Sequence, residues 1–472
     1  MQKLASNTAV GLVGTAALRG LGFITTLVLA RGLGERGFGI YSFVGVYIFF
    51  FGFIVDLGIE RVVTRELAAA PERHGRLLGN AIILKLGLAA IAVPAACMVA
   101  WLVGMDAETR YCIALAAFGL PLSLDLLFRS YFQSQYELKY VYAVTIPGSL
   151  FFLLLVAVCI RWSLPVHDIF YAGLLNAGLT LGLLMAIALP RIRLSFVPER
   201  ALIATLLRDA GEVGAFVLLF MFAMRIDQLL LFSLRGAGEV GRYAVAVRAT
   251  EALSILPEAV MLTVFPILAA THHSQPQRFH RIYRLSFKLL STIILPGALV
   301  ITVLREPCVR VFFGEGYRES AVPLAVLAWG MFFAYTGAVY LNLFIVRRLQ
   351  RLMVVVSVGT LAVNVVVNLW LIPRYGATGA AVATVVSNIF GYAVWALHPE
   401  TAPFMAECTR VTARPLAGVA LAWLVLAVTG ADGLVAAAVA AGVYGGTLLL
   451  TGGVTRSDLN LLRRLVASES AA

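Results

Sequence analysis

Apolar residues run along this chain in blocks of about twenty, and polar residues gather in the short gaps between them. A block of that length crosses ~30 Å of hydrocarbon as a helix. The blocks fall near 8–30, 38–58, 78–103, 111–132, 140–160, 167–190, 211–234, 243–270, 286–304, 320–346, 352–372, 377–397, 413–430 and 434–451. No gap exceeds about twenty residues, so the pattern predicts an all-α polytopic membrane protein of about fourteen transmembrane helices with no extramembrane domain. The first block carries Arg19 in its middle and lacks a small-residue cleavage site. It therefore reads as a span and not as a removable leader.

The gaps can be sorted into two alternating sets. Segments 1–7, 59–77, 133–139, 191–208, 272–288, 347–351, 398–414 and 452–472 hold 22 Lys+Arg, and the other set holds 10. Cytoplasmic loops of membrane proteins carry the basic excess. Both termini are therefore expected on the cytoplasmic side of the membrane. Composition agrees: 61% of the residues are hydrophobic and 13% charged, with a mean hydropathy of +0.91. A soluble domain carries about 25% charge. The net charge of +12 belongs to the loops and not to a nucleic-acid surface, since no patch interleaves aromatic and basic residues.

The order of short motifs suggests an internal repeat. RGLGE from Arg31 is echoed by RGAGE from Arg235, Gly39-Ile40-Tyr41 by Gly241-Arg242-Tyr243, Lys85-Leu86 by Lys288-Leu289, and Pro121-Leu122 by Pro323-Leu324. The offset is 204 at the first pair and 202–203 afterwards. Two pseudo-symmetric six-helix lobes, 1–190 and 209–397, are expected, followed by two extra helices at 413–451. An even helix count per lobe puts the pseudo-two-fold axis along the membrane normal, with a cleft between the lobes.

Charges inside spans are costly, roughly 2.5–3.5 kcal/mol each at a helix centre on insertion scales, so they mark candidate sites. Arg19 lies too deep to reach either surface and is expected to line a cavity. Arg225 and Asp227 lie at comparable depth, and point about 200° apart on their helix. Arg225 is the stronger cavity candidate of the two. Arg248 and Glu251 are spaced to pair, so Arg248 is either structural or functional. Asp125 and Arg129 read as a structural ion pair. Lys85 and Lys288 read as residues that extend to the membrane surface. Asp56 and Glu258 share one repeat position. Either they carry a coupling ion, or they hold loop arginines such as Arg61 or Arg65. The five cysteines are scattered and form no CxxC pair; no nucleotide-binding GxxxxGK loop occurs. No metal and no cofactor are therefore expected. The last two spans contain one charge between Leu416 and Leu450, Asp432 in their turn. They are either lipid-facing packing or a groove for a lipid tail.

The stretches LRGLGFITTLVLARGLGERGFGIYSF and DLGIERVVTRELA near the start resemble the opening of polysaccharide-biosynthesis flippases, in the multidrug/oligosaccharidyl-lipid/polysaccharide exporter superfamily. RIDQLLLFSLRGAGEVGRYAVA from Arg225, the VFP at Val264-Phe265-Pro266 and IPRYGATGAAVATVVSN from Ile372 are similar to later parts of the same family. The resemblance implies alternating-access transport of an isoprenyl-diphosphate-linked oligosaccharide for surface polysaccharide export. Its expected partners are membrane lipids and a polysaccharide polymerase or export machinery. It also implies that Arg19 matches a cavity arginine of the related lipid II flippases. The bottom-up reading agrees in sign, because guanidinium groups bind phosphate oxygens in a bidentate fork. Three alternatives stay open: a lipid II flippase, a multidrug/cation antiporter, and a membrane glycosyltransferase or polymerase.

Overall fold

The computed structural model describes residues 2–347 and 349–453. All the regular structure described there is helical. It comprises α1 (Gln2–Asp56), α2 (Ile59–Ala69), α3 (His74–Leu102), α4 (Ala107–Ala117), α5 (Asp125–Ser134), α6 (Leu138–Arg161), α7 (Val166–Ala188) and α8 (Arg200–Arg235) in the first part of the chain. Then follow α9 (Ala237–Glu251), α10 (Ile255–Ser274), α11 (Pro276–Val303), α12 (Arg305–Phe313), α13 (Ala321–Val346), α14 (Gln350–Leu397), α15 (Ala402–Thr429) and α16 (Gly433–Leu450).

Ten stretches of the described residues are long and apolar enough to cross a membrane, and two of them are 47 residues long. A straight helix of that length would measure about 70 Å, twice what a bilayer needs. Each is broken by one glycine with a positive φ: Gly34 (φ 66°, ψ −179°) in α1 and Gly376 (φ 52°, ψ −129°) in α14. Packing shows that α1 folds back at Gly34. Its first half runs parallel to α6, with Gly14 against Tyr142 and Gly32 against Ile160. Its second half runs antiparallel to α3, where Tyr47 donates to Ala96 O and Asp56 meets Lys85. After Gly376, Gly379 lies against the Leu371 carbonyl, the same reversal. Both long helices thus supply two spans, as the sequence pattern separates them. The expected spans 211–234 and 243–270 fall on α8 and on α9 with α10, and several of their side chains lie outside the description. So does most of the expected basic C-terminal segment 452–472.

The chain divides into two compact units. The first is Met1–Phe232 with Gly236–Gly241, and the second is Ser233–Arg235 with Arg242–Ala472. A buried cluster in the first unit joins Ile59, Val63 and Leu67 of the amphipathic α2 to Leu78 of α3, Phe128 and Phe132 of α5, and Leu206 and Ala210 of α8. In the second unit, α15 and α16 bury one face on α11. Val419, Ala422 and Ala440 pack near Leu295 and Leu299, and the Tyr444 hydroxyl donates to Thr292 O at 2.9 Å.

A local echo of the two RGxGE turns is visible in the backbone of the first unit. Gly236 (φ 84°, ψ −177°) adopts the conformation of Gly34. A Cβ on Gly39 would sit 1.8 Å from Ala237 O, and a Cβ on Gly241 would sit 2.0 Å from Glu35 O. The two contacts are reciprocal at a constant offset of 202. The gap expected between the RGxGE turns is therefore absent: Gly34 corresponds to Gly236, and not to Gly238.

Candidate functional site

The intramembrane charges fall into three groups. In the first unit, Arg19 sits on the first half of α1 with an exposed side chain, and Arg225 sits half-buried on α8. Asp227, two residues on, is only 6% exposed, and its Oδ1 accepts the Gln228 N–H at 2.8 Å. The separation of Arg225 from Asp227 in exposure follows from their 200° divergence around the helix.

The second group is a charge network where α1, α2, α3 and α5 meet. Asp56 Oδ1 accepts from Lys85 Nζ at 3.0 Å, and its Oδ2 accepts from Gly58 N at 3.3 Å. Lys85 Nζ also donates to Ser123 O at 3.3 Å. The Lys85 side chain is 1% exposed. Lys85 is therefore a buried ion-pair partner, and does not extend to the surface as its position two turns into the span suggests. The partner of Asp56 is this lysine and not Arg61 or Arg65; Arg65 pairs with Asp209 and Glu66. Asp125 and Arg129 form the expected ion pair at 2.7 Å. Glu60, on α2 between spans, is the fifth member. Its carboxylate makes no hydrogen bond or ion pair among the described residues. Burial, and then the nearby Asp56, push its pKa above the usual 4.5 against the pull of Lys85 and Arg129, with Asp125 adding to the rise. Nothing in the local sequence announces this network, because Lys85 lies 29 residues from Asp56 and meets it only through the α1–α3 packing.

The third group lies in the second unit. Arg248 and Glu251 pair at 3.0 Å with both side chains partly exposed, a surface-type pair of small energetic weight. Glu258, the repeat mate of Asp56, is exposed. A neutral polar chain is buried within α14 of the same unit: Asn368 Nδ2 donates to Asn364 Oδ1 at 2.8 Å, and Asn364 Nδ2 donates to Ser387 Oγ at 3.2 Å. The Asn368 Oδ1 atom is buried without a hydrogen-bond partner. A buried amide oxygen left without a partner in a polar surrounding suits a bridging water molecule. Sequence reading passed over it because amides inside a span carry no charge to flag them. Among the described residues, no three or more His, Cys, Asp or Glu side chains converge as a metal site.

Comparison with known proteins places these groups in a family. The family model described as "Polysaccharide biosynthesis protein" matches residues 4–272, more than half of the chain. The chain belongs to the polysaccharide biosynthesis protein family. The matched region of this family member holds Arg19, Asp56, Lys85 and Arg225. A putative O-antigen transporter of Shigella flexneri is 22% identical over 400 residues, covering 78% of this chain and 89% of that protein. Among solved structures, the lipid II flippase MurJ in its inward closed conformation matches with a TM-score of 0.74 at 13% identity, covering 93% of this chain and 98% of that one. An inward-facing multidrug resistance MATE transporter of the MOP superfamily matches at 0.65 with 16% identity, covering 83% and 95%. These likenesses establish the all-helical polytopic membrane fold predicted from the hydrophobic blocks.

Proposed function

We propose that this protein is a flippase. It carries an isoprenyl-diphosphate-linked oligosaccharide repeat unit across the inner membrane by alternating access, for surface polysaccharide export. The observation that carries this reading is the family match across residues 4–272. It is supported by a likeness to a putative O-antigen transporter over 78% of the chain and by the helical membrane fold. Arg19 and Arg225 are the residues assigned to the diphosphate, because planar guanidinium groups bind phosphate oxygens bidentately. Arg248 and Asp227 are assigned subsidiary contacts, and Asp56 and Glu258 a role in ion coupling. The basic loop bias supports cytoplasmic termini. The chain is read as a transporter and not as an enzyme.

The test is complementation of a deletion strain with wild type, Arg19→Ala and Arg225→Ala at matched membrane levels. Surface glycan is measured together with lipid-linked repeat units held in the cytoplasmic leaflet. The proposal expects lost glycan and accumulated intact units with either variant. Normal glycan in the deletion strain would transfer the assignment to a multidrug or cation antiporter. Full rescue by both variants would remove the arginines from the site. Accumulated lipid II in place of repeat units would make the protein a lipid II flippase.

A further inference from the structure

Between α7 and α8 the chain does not loop freely. Residues 192–199 form no regular element and run along the start of α3, and α3 is shaped to receive them. A Cβ on Gly75 would lie 1.8 Å from Arg193 O, and one on Gly79 would lie 1.9 Å from Ser195 O. At these two positions the helix face under the strap therefore carries no side chain. Ser195 N donates to Gly75 O at 3.1 Å. One position on, Asn80 is fully buried. Its Nδ2 donates to Val197 O at 3.2 Å and its Oδ1 accepts from Glu199 N at 2.7 Å. Arg76 Nε donates to Glu199 Oε1 at 2.7 Å and closes the end of the strap.

The strap advances from Gly75 to Asn80, toward the apolar stretch of a predicted membrane span, His74–Leu102. Its tip points three consecutive apolar residues outward: Phe196 is 57% exposed, Val197 64%, and Pro198 is exposed as well. Arg193 and Arg200 flank the tip, both exposed and without an ion pair among the described residues. Two physical rules meet here. Irregular backbone is tolerated at membrane depth only where the protein satisfies its hydrogen bonds, as Gly75 does for Ser195 N and Asn80 for Val197 O and Glu199 N. Aromatic and arginine side chains together mark the membrane–water interface, where the apolar part enters the acyl boundary and the guanidinium meets phosphate.

We infer that the Phe196–Val197–Pro198 tip is a membrane-interface anchor, and that Arg193 and Arg200 beside it bind the headgroups of anionic glycerophospholipids. This anchor is separate from the transported substrate and stands whether or not the flippase reading holds. Its function is to hold the α7–α8 connection and the start of α8 at the bilayer surface, in one body with α3.

The experiment uses the full-length protein in proteoliposomes, comparing wild type with Phe196→Trp. The substitution is conservative and at an exposed site, so the added emission reports the tip. Bilayers contain phosphatidylcholine or phosphatidylglycerol brominated near the top of the acyl chain. The added emission should be blue-shifted, quenched by the brominated lipids and shielded from aqueous acrylamide. Brominated phosphatidylglycerol should quench more than phosphatidylcholine, by a local enrichment of roughly five-fold per arginine. Adding Arg193→Gln and Arg200→Gln should abolish that preference and leave the depth unchanged. Emission quenched freely by acrylamide and indifferent to brominated lipid would overturn the anchor and leave the tip facing water or a soluble partner. Equal quenching by the two lipids with both arginines present would overturn the headgroup assignment.

Discussion

Lysine is among the residues least often buried, yet the Lys85 side chain is held at 1% exposure by Asp56 and the Ser123 carbonyl. Removing one partner of a buried pair leaves the other charge uncompensated, which costs about 3–5 kcal/mol. Lys85→Ala is therefore expected to lower thermal stability in detergent sharply. The double variant Lys85→Ala/Asp56→Ala should recover much of the loss, a coupling that a double-mutant cycle measures. Glu60 acts in the opposite sense. Its raised folded-state pKa means that the folded chain retains a proton which the unfolded chain has released. Stability contributed by that proton is present below the unfolded pKa of about 4.5 and declines as pH rises through the folded value. Glu60→Gln should flatten this slope in melting curves recorded from pH 4 to 8, and should leave the protein at least as stable at pH 8. At this scale the sequence was only partly readable. Spacing along one helix suffices for Asp125 with Arg129 and for Arg248 with Glu251. Asp56 with Lys85 is a tertiary pair, and the rule that long cations reach for the surface pointed the wrong way.

Among the elements, two glycines turn 47-residue helical stretches into pairs of spans. The hydrophobic blocks separated these spans correctly, because the polar residues around Gly34 and Gly376 interrupt the apolar run. The repeat register was less legible. RGLGE and RGAGE align naturally at their arginines, but the backbone aligns Gly34 with Gly236, two residues away. Conformation at a positive φ is what the repeat preserves here, not the identity of the neighbours. The close approaches of Gly39 to Ala237 O and of Gly241 to Glu35 O make a symmetric prediction. Gly39→Ala and Gly241→Ala should each destabilise the protein by about 1–3 kcal/mol, since the obstructing atom is backbone and cannot rotate away. Comparable losses in paired melting measurements would support the reciprocity. A loss at one position alone would contradict it.

For the whole molecule, the pattern of hydrophobic blocks was enough for fold class, because a bilayer allows few solutions to backbone hydrogen bonding. The site was less accessible: charges inside spans name candidates, but not the direction in which each one faces. The flippase reading carries a further energetic consequence. A substrate bearing about two negative charges gains roughly 4–5 kcal/mol on moving outward across ~100 mV, inside negative. Outward transport in proteoliposomes should therefore accelerate with an imposed inside-negative potential and slow when valinomycin and potassium collapse it. A rate that ignores the potential would require an obligatory counter-ion.

The reciprocal glycine contact also bears on how such folds are inferred from families of sequences. Contact prediction depends on compensating change, in which one partner grows as the other shrinks. Gly39 and Gly241 have nothing smaller to become, and the atoms they touch are carbonyl oxygens that every residue possesses. One of the tightest approaches in the first unit is therefore silent to co-variation, and only the coordinates reveal it.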